Sequence, residues 1–157
     1  MNGIKTIILT TKARFPMLNA PQSEVMCRFE KDSFTYTTNL SHKDPAYFAA
    51  PLSSLKESRT FTFLPGVFDK AFATISNYAE TALQHPEAFT LDDGPEDTLQ
   101  VFYENGIHEE LRKNCFLIDP TLLEEALRGL LPPPVLHDIF HRIVAVDNEI
   151  NAGGRDC

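Results

Sequence analysis

Val25-Met26-Cys27-Arg28-Phe29-Glu30-Lys31-Asp32-Ser33-Phe34-Thr35-Tyr36-Thr37-Thr38 is the stretch that decides the fold. Val25, Cys27 and Phe29 alternate with Met26, Arg28 and Glu30, and Lys31-Asp32 separates that run from a second one rich in β-branched and aromatic residues. Alternation at period two puts every second side chain on the same face, so the reading is an antiparallel hairpin with one buried face.

Working outward, Ile4 to Phe15 is β-branched and apolar, and Pro16 removes the next ladder donor. Arg59 to Leu64 is a further strand, with Phe61 and Phe63 on one side. Asp44-Pro45 is a candidate start for one short helical turn. From Pro65-Gly66 the period changes. Val67, Phe68, Ala71, Phe72, Ile75, Ala79, Ala82 and Leu83 recur at helical spacing until His85-Pro86 stops the helix. Leu99 to Tyr103 is a strand, and Asn105-Gly106 signals a hairpin with a type I′ turn, in which Tyr103 would pair with His108. That register leaves Leu99, Val101 and Tyr103 opposite His108, Glu110 and Arg112. Either this face is an exposed rim or a bulge shifts the register.

Asp119-Pro120 starts a second helix, with Leu122, Leu123, Ala126, Leu127 and Leu130 as its stripe. Pro132-Pro133-Pro134 breaks the chain, and a third helix follows from Val135 to about Ile150. The expectation is an α+β fold: one domain over residues 1–150, a mostly antiparallel sheet of five or six strands, and three main helices on one face. Residues 151–157 are read as a flexible tail.

At 157 residues the chain fits one domain, and 43% apolar with 23% charged residues places it among globular proteins. No run approaches the 18 or so apolar residues of a membrane span, and the apolar run near the N-terminus is too short for a signal sequence. Cys27, Cys115 and Cys157 have no metal-knuckle or disulfide spacing, so Cys27 and Cys115 read as buried thiols. These features together give a cytoplasmic reading.

The net charge of −8 comes from one interval. Between Pro86 and Glu110 stand Glu87, Asp92, Asp93, Glu96, Asp97, Glu104, Glu109 and Glu110, with no Lys or Arg. The remaining acids and bases balance. Such a field repels nucleic acid and anionic lipid and attracts basic surfaces. The partner expected is therefore a basic protein, such as a toxin or an effector, with no nucleic acid and no membrane. Asp92, Asp93, Glu96, Asp97, Glu104 and Glu109 are the candidate steering residues, with Phe89 and Tyr103 as aromatic anchors.

Catalytic signals are weak. His137-Asp138-Ile139-Phe140-His141 places two imidazoles four apart on a helix, but Asp stands where a zinc protease needs Glu. Val135, Leu136, Ile139, Phe140, Ile143 and Val144 form the buried side of that helix, which leaves His137, Asp138, His141 and Arg142 on its solvated side. Tyr103, His108, Glu110 and Arg112 are the best grouping for acid–base work, against a plain surface cluster. Asp92, Asp93, Glu96 and Asp97 lack the spacing of a calcium loop. No glycine-rich phosphate loop or nucleophile elbow is present. No cofactor and no metal are assigned. The function expected is a non-enzymatic acidic binding protein of the immunity or inhibitor type. The alternatives are a secretion-type chaperone for a basic effector, for which a homodimer is the usual form, and a metal-dependent hydrolase using His137 and His141.

Overall fold

The computed structural model describes residues 3–12, 24–39, 56–86, 96–113 and 120–154. Its centre is the hairpin expected from the alternating stretch: β1 (Ile4–Lys12) pairs with β2 (Glu24–Glu30), which turns at Lys31-Asp32 into β3 (Ser33–Asn39). Beyond them lie β4 (Lys56–Thr62), β5 (Glu96–Tyr103) and β6 (His108–Lys113). All neighbouring pairs are antiparallel, and the six strands run in the order β4-β3-β2-β1-β5-β6. Three helices complete the α+β domain: α1 (Asp69–Gln84), α2 (Pro120–Leu127) and α3 (Pro133–Gly154).

Register explains where the core sits. Phe61, Phe34, Phe29, Ile7, Val101 and Glu109 form one row across the sheet, and Arg59, Tyr36, Cys27, Leu9, Leu99 and Leu111 form the next. The central members of both rows are buried, together with Phe68, Ala71, Ile75, Ala79, Leu123, Leu127, Val135, Ile139 and Ile143 from the helical side. Each fully buried Leu, Ile or Phe contributes roughly 1.5–3 kcal/mol relative to exposure. The opposite sheet face is polar: Thr35 bonds Thr60 at 3.0 Å, Thr37 bonds Ser58 at 3.1 Å, and Arg28 pairs with Glu30 at 2.9 Å.

A third row on the helix side is mostly polar. It runs Glu57, Thr38, Val25, Thr11, Asp97 and Lys113 from β4 to β6. Thr38, Thr11 and Asp97 are buried. Over this end lies Arg142 of α3, with no exposed surface. Its guanidinium donates from Nε to Asp138 Oδ2 at 2.8 Å and from Nη1 to Thr38 Oγ1 at 2.7 Å, and Nη2 lies 2.9 Å from Glu57 Oε2. The solvated position expected for Asp138 and Arg142 is thus corrected: both are enclosed, and they tie α3 to β3 and β4.

Helix ends follow local chemistry. Gly66, at φ +89°, lets the chain turn back before α1, where Val67 N donates to Leu64 O. Pro132 accepts from the Val135 and Leu136 amides, so α3 begins at Pro133, two residues before the start expected at Val135. At its other end α3 continues to Gly154, past the boundary expected near Ile150, because the first strong breakers are Gly153-Gly154. The short turn at Asp44-Pro45 lies outside the described residues, as do Cys115 and Cys157. Cys27 is buried, as expected, and burial pushes its thiol up to about 12. No helix among the described residues is long and apolar enough to cross a membrane.

Candidate functional site

The β5–β6 hairpin turns by a three-residue loop, not by the type I′ turn expected. Gly106 N donates to Tyr103 O at 3.0 Å and Tyr103 N donates to Ile107 O at 2.9 Å. Gly106 has φ +88°, while no non-glycine residue among those described has a positive φ, so Asn105 stays in an ordinary conformation. A type I turn closed by a left-handed glycine is the standard three-residue hairpin with a bulge. Asn105 still serves the turn, because its Oδ1 accepts from Ile107 N at 3.0 Å. The register therefore shifts by one: Phe102 pairs with His108, Val101 with Glu109, and Leu99 with Leu111. Of the two arrangements the sequence left open, the bulge is the one adopted.

That shift decides which side chains meet. His108 stacks on Phe102, with ring centroids 4.5 Å apart. Glu110 pairs with Arg112 at 3.4 Å on the same, outer face. Glu109 instead joins the helix side, where Tyr103 donates a hydrogen bond to it. Partial burial, that bond, and the charges of Glu109 and then of Glu80 on α1 push the Tyr103 phenol above its ordinary value. The grouping of Tyr103 with His108, Glu110 and Arg112 is thus divided, and Tyr103 belongs with two carboxylates.

Around Tyr103 lie exposed Glu80, Glu104 and Glu109, and an apolar side chain, Ile107, that is 56% exposed. Glu104 caps the other side of the turn. Its amide donates to Gly3 O at 2.9 Å, and its carboxylate stands over Gly3, where an added Cβ would lie 3.7 Å from it. The result is a small acidic surface, supported by α1, β1, β5 and β6, with an aromatic and an aliphatic side chain at its centre. Glu80 is the member that the sequence reading missed. Its place in the helical pattern marks it only as solvent-facing, and the contact depends on how α1 crosses the sheet.

The other candidate steering residues fall elsewhere. Phe89, Asp92 and Asp93 lie outside the described residues. Glu96 opens β5, at the opposite end of that strand from Glu104, about 26 Å away at 3.3 Å per residue. Asp97 is fully buried between its cross-strand neighbours Thr11 and Lys113. This burial counts against Asp97 as a steering residue: an enclosed carboxylate flanked by a lysine projects little field toward an approaching protein.

On α3, His137 is exposed and His141 half-buried. Their rings approach to a centroid distance of 3.9 Å. Among the described residues no group of three or more His, Cys, Asp or Glu side chains is placed to hold a metal. The sequence matches no family model and no curated protein.

Proposed function

We propose that this protein is a non-enzymatic binding domain that captures a basic protein partner through the acidic end of its β5–β6 hairpin. The observation that carries this reading is that the charges of Glu109 and Glu80 both act on Tyr103, with exposed Glu104 next to it in the chain and exposed Ile107 across the turn. Carboxylates from α1, the turn and β6 supply long-range attraction, and two larger side chains beside them supply contact area once the partner arrives. Neutralisation of a cationic toxin or effector is the activity that this arrangement suits. The charge of −8 over the whole chain adds steering at distances beyond the contact itself.

The test is charge reversal with the fold monitored. Glu80→Lys, Glu104→Lys and Glu109→Lys combined should abolish recovery of a specific basic protein from the native host extract while the melting curve stays cooperative. Recovery by the unaltered protein should weaken as salt is raised, since screening acts over roughly 8 Å at physiological ionic strength. Capture that survives the triple reversal refutes the reading.

A further inference from the structure

We infer that β6, the strand at one edge of the sheet, pairs antiparallel with β6 of a second copy of this chain, about a two-fold axis at Leu111. Among the described residues the outer side of β6 has no neighbouring strand. Its charges are segregated along its length: Glu109 and Glu110 precede Leu111, and Arg112 and Lys113 follow it. A strand whose charge changes sign at its midpoint is complementary to a copy of itself running the other way.

Backbone geometry limits the registers. Tyr103 N donates to Ile107 O at 2.9 Å, so residues 103 and 107 form a hydrogen-bonded pair of the hairpin. That pattern alternates along an unbroken register, so Glu109, Leu111 and Lys113 turn their N–H and C=O groups toward β5. His108, Glu110 and Arg112 turn theirs outward. Outward groups must meet outward groups, which places the axis at a residue and not between two. An axis at Glu110 sets that carboxylate against its own copy, and an axis at Arg112 does the same with two guanidiniums. The axis at Leu111 sets Glu110 against the partner's Arg112 on the outer face, and Glu109 against the partner's Lys113 on the helix side. Leu111, half-buried, then meets the partner's Leu111 and prolongs the apolar row of Leu9 and Leu99.

Charged edges ordinarily prevent strand pairing. On β6 the same charges exclude the adjacent registers and favour one. Arg112 already lies 3.4 Å from Glu110 of its own strand, so both charges stand on the outer face beside the edge. The other edge, β4, offers less, because its Glu57 is engaged by Arg142 at 2.9 Å. This pairing does not rest on capture of a basic partner. The two hairpin tips lie at opposite ends of the joined edge, and Glu110 and Arg112 stand apart from Glu80 and Glu104.

Sedimentation equilibrium of the full chain tests the inference. The parent is expected to dimerise reversibly as its concentration is raised. Glu110→Arg and Arg112→Glu should each weaken the dimer by roughly tenfold or more, because like charges then face each other. Both side chains are exposed, so the circular dichroism spectrum should remain that of the parent. An equal mixture of the two variants should associate again, because every facing pair on the outer face is then of opposite sign. A parent that stays monomeric into the millimolar range overturns the pairing. So does a dimer that neither substitution weakens, since it assembles through another surface such as β4. A mixture that associates no better than its components overturns the register.

Discussion

Asp138 and Arg142, one turn apart on α3, are joined by a 2.8 Å bond with both side chains wholly enclosed. Arg142 also reaches Thr38 and Glu57, so one guanidinium connects the last helix to two strands, including an edge strand. A second guanidinium, Arg59, lies 3.9 Å from Glu57 and 5.3 Å over the Phe61 ring. Tyr36 feels this cluster. Burial first, and then the Glu57 charge, hold its phenol above the ordinary value against the opposing effect of Arg59.

Removing Arg142 strands buried charge. Arg142→Met fills similar space but leaves Asp138 without its guanidinium, while Glu57 keeps Arg59 at 3.9 Å, and breaking a buried pair from one side costs about 3–5 kcal/mol. Urea denaturation should show that loss. Asp138→Leu combined with Arg142→Met should recover part of it, because the uncompensated Asp138 charge is then gone. A single variant as stable as the parent would show that the pair contributes no net stabilisation.

Gly106 holds the β5–β6 loop open to its bulged form. Gly106→Ala places a Cβ at φ +88° and should cost about 1–2 kcal/mol by equilibrium denaturation. Nothing lies within 4 Å of the added Cβ, so the loss would come from backbone strain alone. An alanine variant of parental stability would contradict the three-residue turn.

Glu109→Gln should lower the Tyr103 pKa while keeping an acceptor for its hydroxyl. The shift should be partial, because burial, the first cause of the raised value, is untouched. Alkaline spectrophotometric titration, compared between the parent and the variant, reads the difference. An unchanged Tyr103 titration would separate Glu109 from Tyr103 and weaken the acidic docking surface.

The β2–β3 hairpin and α1 were legible because their faces are chemically uniform, whereas β4 runs Lys56–Thr62 and not Arg59 to Leu64. Val25, Cys27 and Phe29 point one way and Arg28 and Glu30 the other, which fixes both type and register. The third helix misled for a definite reason. In projection Arg142 lies about 20° beyond Val135, at the border of the apolar arc that runs on through Ile139. Its charge suggested solvent, and only a partner distant in sequence, Thr38 or Glu57, makes its burial affordable. The position of Arg142 at that border was the available signal. Asp97 failed in the same way, since its cross-strand neighbours Thr11 and Lys113 come from separate strands. Tyr103 and Glu109 were named individually, but their contact waited on a bulge that the dipeptide Asn105-Gly106 does not specify.

Cys27 makes stability fall at high pH in a way that one substitution isolates. Its thiol is raised by burial from 9.0 to about 12, so between those values the unfolded chain loses this proton and the folded one keeps it. The stabilisation is present below pH 9 and is lost as pH rises toward 12, at about 1.4 kcal/mol per pH unit for one proton. Cys27→Ala gives up packing at neutral pH but has no thiol to ionise. The stability gap between parent and variant should therefore narrow from pH 8 to pH 11 in denaturant titrations. Tyr36 and Tyr103, also raised, add alkaline sensitivity above about pH 10, but they do so equally in both proteins and cancel in the comparison. A gap that stays constant across this range would mean that the Cys27 thiol meets water in the folded protein, contrary to its burial at the centre of the sheet.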